Sequence, residues 1–307
     1  MVPDAHFTSY YGRPVVRPSP WTFDIPAYFF LGGLAGGSSL LAAGAELTDR
    51  PALRRSSRAT ALGAISLSLA ALVHDLGRPA RFHHMLRVAK PTSPMSVGTW
   101  LLSAYGPLAA LAAVGELADR APKRWMRALL PPLGSAAGLA AAGIGPAVAS
   151  YTAVLISDTA TPTWNAARKE LPYVFVGSAA AAAGGAGMVL APTGEADIAR
   201  AMAVAGAVAD LAYAHRMEHE TGLPGEAFSA GRAGSYMKAG KALTAGGAAV
   251  ALVAERSRFA SVVGGAALLA GSVCTRFGVF HAGQQSAQDP KYTVVPQRER
   301  LAAQSGR

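Results

Sequence analysis

The sequence predicts an all-α polytopic membrane protein, built of eight transmembrane helices. Three observations carry that expectation. Charged residues make up only 15% of the 307-residue chain, against about 25% in soluble domains. The charges fall in short clusters, such as Arg54, Arg55 and Arg58, or Lys123, Arg124 and Arg127. Between the clusters run apolar intervals near the ~20 residues that cross a bilayer. The clustering has a physical cause, since an ionised side chain at mid-bilayer costs about 3 kcal/mol or more.

Taken in order, the intervals place spanning helices at about 26–47, 57–75, 97–118, 130–155, 172–192, 196–215, 236–254 and 259–279. The fifth is bracketed by Pro172 and Pro192, while Asp210, His215, Lys238 and Lys241 intrude on the sixth and seventh. Pro146 should kink the fourth helix without breaking it, because neighbours in a bundle can satisfy the freed carbonyl. In the first helix Gly32 and Gly36, and likewise Gly33 and Gly37, stand four apart, the spacing of a close helix–helix contact. The expected organisation is an extramembrane segment (1–25), an eight-helix domain (26–279), which permits two four-helix bundles, and a tail (280–307). The first 24 residues hold several prolines and no apolar core, so the first helix is expected to direct insertion itself.

Eight crossings put both termini on one side, side A, together with the loops after helices 2, 4 and 6. Side A holds 17 of the 28 Lys and Arg residues and side B the other 11. The bare count favours side A as cytoplasmic. The density of arginines in two short side-B loops favours side B, and the positive-inside rule weights short loops.

Composition excludes several classes. The net charge of +10 collects at segment ends rather than in a basic stripe interleaved with aromatics, which argues against nucleic acid. A lone cysteine, Cys274, excludes a disulfide framework, c-type haem and a cysteine-held iron–sulfur cluster. All seven histidines (6, 74, 83, 84, 215, 219 and 281) fall at side A. A transmembrane haem stack, which needs axial ligands toward both faces, is therefore not expected.

Polar groups gather at the same face: Tyr28, His74, Asp75, Arg78, Tyr151, Asp158, Asp210, Tyr213 and Arg276. A quinone offers two carbonyls that accept hydrogen bonds and take up protons on reduction. Its site needs an apolar slot, Tyr or His donors, and a carboxylate or His that passes protons. Tyr28, His74, Asp75 and Tyr151 can supply those parts, and Asp210, one to two turns inside its helix, is a second candidate proton carrier. Interfacial anchoring is the alternative for each tyrosine, and a structural ion pair the alternative for Asp75, Arg78 and Arg276. The segment 79–90 is expected to form a short interfacial helix with Phe82, Met85 and Leu86 on one side, suited to lying in the interface or docking a partner. On side B, Glu46 and Glu116 read as solvated helix ends.

The run His74-Asp75-Leu76-Gly77-Arg78-Pro79, continuing to Lys90-Pro91-Thr92-Ser93-Pro94-Met95-Ser96-Val97-Gly98-Thr99-Trp100, resembles the signature of the NrfD/polysulfide-reductase family of integral membrane subunits. Tyr28 to Gly37, Tyr151-Thr152-Ala153, Thr161-Pro162-Thr163-Trp164-Asn165 and a tail around Ala282-Gly283, Ser286-Ala287 and Asp289 to Tyr292 are also similar, although Ala153 replaces a common glycine. The resemblance implies an eight-helix anchor in the bacterial plasma membrane, with no redox cofactor of its own. It implies menaquinone or ubiquinone bound near the face where an iron–sulfur subunit docks, that subunit being linked to a molybdenum or tungsten catalytic subunit. Matched motif by motif, it assigns quinone contact to Tyr28, His74, Asp75, Arg78 and Tyr151. Asp210 and Arg276 stand on position alone. The competing expectation is an ion-translocating or transporter-like bundle. That would place charges at mid-membrane, and the uncharged centres of helices 1, 2, 3 and 5 argue against it.

Overall fold

Each apolar interval folds as a helix, and several helices run past the interval that predicts them. The computed structural model describes residues 14–305, so His6 lies outside the described residues. The helices are α1 (Asp24–Leu47), α2 (Pro51–Asp75), α3 (Pro94–Gly115), α4 (Arg124–Ser157), the short α5 (Pro162–Ala166), α6 (Leu171–Leu190), α7 (Asp197–Glu220), α8 (Gly231–Val253), α9 (Arg258–Gln288) and α10 (Lys291–Ser305). No strand occurs among the described residues. Proline opens α2, α3 and α5, where its missing N–H is no loss. α4 continues through Pro131, Pro132 and Pro146. The segment Pro79–Arg87 forms a 3-10 helix rather than an α-helix, and none of its residues is buried.

Six helices, α1, α2, α3, α4, α6 and α9, are long and apolar enough to cross a membrane. α7 and α8 have the length, at 24 and 23 residues, but Asp, Arg and Lys lower their apolar content. The apolar faces do not all point inward. The most apolar stretch of α3 is only 28% buried, and Leu129, Leu133 and Leu139 of α4 are exposed. Unburied apolar helix faces are what a lipid solvent accepts and water does not. The chain is a multi-pass membrane protein.

α1 and α6 lie side by side at the centre. α1 also packs against α2 and α4, and α3 closes that group against α2 and α4. α6 packs against α7 and α9, and α8 against α7 and α9. The glycines of α1 make these contacts possible. A Cβ on Gly36 would collide with the carbonyl oxygen of Gly145 in α4, and one on Gly37 would stand 2.8 Å from the Ala179 carbonyl of α6. The small-residue face therefore serves helix–helix packing, as its spacing predicts.

Side B is held by charge. Arg58, 5% exposed, donates to Glu46 and Glu116 at 2.7 Å each, and Arg54 donates to Glu116 at 2.7 Å. The glutamates expected as solvated helix ends are instead paired across α1, α2 and α3. The pairing explains why α2 starts at Pro51, six residues before the predicted apolar run: the arginines of its first turns point into this cluster. Glu195, from the segment between α6 and α7, accepts the amides of Ala52 and Leu53 at 2.7 and 3.1 Å, and Arg50 pairs with Asp197.

On side A, Trp164 of α5 donates from its indole to the Val279 carbonyl of α9 (2.8 Å), and its ring occupies the space that a side chain at Gly283 would need. The Thr163 amide donates to Ser286 Oγ (3.3 Å). Two motif blocks more than a hundred residues apart thus lock the exit of α4 to the end of α9, which runs to Gln288, past the predicted 279 boundary.

Candidate functional site

The side-A ends of α1 and α2 meet through a small polar network. α1 opens with Asp24, an acidic residue in the first turn, where the helix dipole favours it. Its carboxylate accepts a hydrogen bond from Thr22 Oγ1 (2.9 Å) and lies 3.1 Å from His74 Nδ1. Thr22 Oγ1 is also 3.5 Å from Asp75 Oδ1. Asp24 is buried while the His74 side chain is 76% exposed. With Nδ1–H directed at Asp24, Nε2 is the nitrogen left for an incoming group.

One turn deeper, Tyr28 occupies the same face of α1 as Asp24, four residues on. Its buried ring meets the ring of Tyr151 from α4 edge-on, with centroids 6.4 Å apart. Tyr151 lies against Gly98 at the start of α3, where a Cβ would stand 2.5 Å from the phenol ring. The Tyr151 hydroxyl is buried and has no hydrogen-bond partner among the described residues. A phenol normally finds a partner when buried, so this O–H is poised for a group from outside the described residues.

α2, α3 and the 3-10 segment enclose an apolar cleft of about 500 Å³, lined among others by Ile65, Leu69, Phe82, Met85 and Leu102, with neither tyrosine in its lining. Ile65 and Leu102 belong at the same time to the core that contains Tyr28 and Tyr151. Phe82, Met85 and Leu86 do share one side of their segment, facing this cleft. Arg78, on the turn that leads into the segment, is exposed and forms no ion pair among the described residues.

Thus α1, α2, α3 and α4 bring Tyr28 to Tyr151, and His74 and Asp75 to the mouth of α1. They do not bring Asp210 there. Asp210 is buried on α7, its backbone against Gly177 of α6, and forms no hydrogen bond or ion pair with those four residues among the described ones. Arg276 is also fully buried. It donates to the Phe175 carbonyl (2.6 Å), and its guanidinium lies 3.7 Å from the Phe175 ring centroid. Asp210 Oδ1 and Arg276 Nε and Nη1 have no partner among the described residues. Sequence reading missed Asp24, because the apolar run starts at Pro26. It also missed Tyr105, whose buried hydroxyl donates to Ala35 (2.6 Å) and accepts from Ser39 (2.7 Å).

Comparison with known proteins adds one match and one absence. No individual curated protein matches the chain. The family described as polysulphide reductase, NrfD, matches residues 15–213, more than half of the chain. The match runs from the approach to α1 into α7 and so takes in every residue of the Tyr28, His74 and Tyr151 cluster. It stops before the tail motif near Gly283. The chain belongs to the polysulphide reductase NrfD family.

Proposed function

We propose that this chain is the quinone-handling membrane subunit of an oxidoreductase complex, exchanging electrons between a partner's iron–sulfur cluster and menaquinone or ubiquinone at side A. The observation that carries the reading is the buried, unpartnered hydroxyl of Tyr151, set edge-on to Tyr28 in a core whose Ile65 and Leu102 also line an apolar cleft. Such a slot with few convergent polar groups is the usual form of a small-molecule site. The quinone would supply the two-electron, two-proton chemistry. The chain's part is to bind, orient and move protons: Tyr151 and Tyr28 donate to carbonyl oxygens, and the cleft excludes water from an isoprenoid tail. His74, steadied by Asp24, presents Nε2 toward water, and Asp75 beside Thr22 extends that route. Arg78 favours anionic species at the mouth.

Membership of a redox-complex family supports association with other redox subunits. An iron–sulfur protein and a molybdenum or tungsten catalytic subunit are the partners we propose, with the bacterial plasma membrane as location. We further propose that α7 and α8 also cross, giving eight spans. At 1.5 Å per residue a 23-residue helix reaches about 35 Å, longer than the ~30 Å hydrocarbon layer. The neighbour pattern of α1–α4 recurs in α6–α9, which supports two four-helix bundles.

A second reading, an ion-translocating bundle, draws support from Asp210 and Arg276, whose unpartnered buried atoms suit bound water. Quinol turnover of the purified complex discriminates. Tyr151→Phe and His74→Ala should lower turnover with the subunits still associated, whereas Asp210→Asn should spare it if that residue serves ion movement alone. Unchanged turnover in both Tyr151→Phe and His74→Ala would refute the site.

A further inference from the structure

Away from the cleft between α2 and α3, a second cavity of about 630 Å³ opens at side A between α8, α9 and the segment leading into α1. Its depth follows from the elements that bound it. α1 begins at Asp24, α8 begins at Gly231 and α9 ends at Gln288, so the cavity lies where three chain segments enter or leave the membrane. Trp21 and Phe23 stand at its rim, the side chains favoured at headgroup level.

The lining is graded along the membrane normal. On α9, Gln288, Gln284, His281 and Phe277 follow one another on one face toward the interior. On α8, Arg232 is followed one turn deeper by Tyr236. Behind the Trp21 and Phe23 rim, polar and cationic groups thus occupy the outer part, and Tyr236 and Phe277 the inner end. His281 stacks on Tyr236 with centroids 5.5 Å apart, and its ring nitrogens have no hydrogen-bond partner among the described residues. Gln284 donates to the Ser19 carbonyl (2.9 Å), which fixes the roof. Among the described residues no carboxylate lines the cavity, and Arg232 forms no ion pair.

We propose that this cavity binds the phosphodiester headgroup of an anionic membrane phospholipid. Arg232 and His281 take the phosphate oxygens, and the acyl chains descend along Tyr236 and Phe277. Arg232 is exposed at the mouth, where a neutral ligand such as a quinone gains nothing from its charge, whereas a phosphate matches the planar guanidinium fork. Basic pockets between membrane helices are a known setting for lipid headgroups.

The test uses the full-length protein in its complex, purified in a non-ionic detergent. Retention of phosphatidylglycerol and of phosphatidylcholine is read by native mass spectrometry, and protection against heat by thermal shift. Phosphatidylglycerol should be retained in preference to phosphatidylcholine, and Arg232→Gln should reduce that retention about five- to tenfold. Arg216→Gln, which removes another side-A cation already paired with Glu220, should leave it intact. Equal retention of the two lipids, or no effect of Arg232→Gln, would overturn the proposal. So would a thermal shift reproduced in full by millimolar inorganic phosphate, which would assign a free anion. Loss of a bound quinone from Arg232→Gln with phosphatidylglycerol retention unchanged would assign the cavity to quinone and likewise overturn it.

Discussion

The phenol of Tyr151 sits edge-on to that of Tyr28, 6.4 Å between centroids, across a gap of 123 positions in the chain. The contact joins the exit of α4 to the entry of α1, and Tyr151 carries a hydroxyl without a partner among the described residues. Replacing Tyr151 with Phe removes no hydrogen bond among the described residues. The melting temperature of the purified protein should therefore stay within a degree or two of wild type, since deleting an unsatisfied buried group is close to neutral or stabilising. Quinol turnover should fall about tenfold, the value of one hydrogen bond of ~1.4 kcal/mol to the bound molecule. A large drop in melting temperature would mean that the hydroxyl serves the fold.

Gly98→Ala approaches the same ring from α3. The added methyl would stand 2.5 Å from Tyr151 Cε2, so the phenol must move. Expected are a stability loss of about 1–3 kcal/mol from overpacking and a defect in turnover at least as large as that of Tyr151→Phe. Gly143→Ala, on α4 with nothing within 4 Å of the new methyl, should change neither quantity.

Gly36→Ala tests the centre of the fold. Its Cβ would meet the backbone carbonyl of Gly145, which cannot rotate away as a side chain could. Thermal unfolding in detergent should show a loss of about 2 kcal/mol or more, whereas Gly44→Ala, facing open space, should behave as wild type. Equal behaviour of the two variants would show that α1 and α4 can separate at no cost.

Arg58→Met should be the most damaging change on side B. It would strand Glu46 from its arginine and weaken the hold on Glu116, and breaking one side of a buried ion pair costs about 3–5 kcal/mol. Adding Glu46→Gln to Arg58→Met removes the uncompensated charge. The double variant should recover part of the loss, measured as melting temperature and as yield of folded protein.

Glu195→Gln examines the link from the α6–α7 connection to α2. The carboxylate accepts two amides at the start of that helix, and losing a charged cap of this kind costs about 1 kcal/mol. A drop of that size is expected, with turnover at Tyr151 preserved.

The helical, membrane-embedded character was legible because it depends on composition and interval length, and both act locally. The boundaries were less legible wherever charge was buried by pairing. Arg54 and Arg58 read as loop residues, yet Glu46 and Glu116 draw them into the first turns of α2. The same blindness hid Asp24, whose value comes from His74, fifty positions later. Helix-end position and the family resemblance single out Tyr28, His74 and Tyr151 as a set, but only the antiparallel packing of α1 with α2 and α4 places them at one end. Asp210 and Arg276 stand out by position along their helices alone, and position does not say which neighbours a side chain will meet.

At 34 residues, α4 is about 51 Å long by helical rise, and the hydrocarbon layer is about 30 Å thick. Roughly 20 Å of it must therefore stand in the headgroup layers or beyond. Pro131, Pro132 and Pro146 each remove a rung from its hydrogen-bond ladder, and Pro146, beside the Gly36–Gly145 crossing, makes the turns that follow a hinged lever. Any tilt imposed on α4 at the Gly36–Gly145 crossing would be magnified at its side-A end, where Tyr151 sits one turn or two from the tip. A protein seated on that end would feel, as a displacement, what happens among the tyrosines.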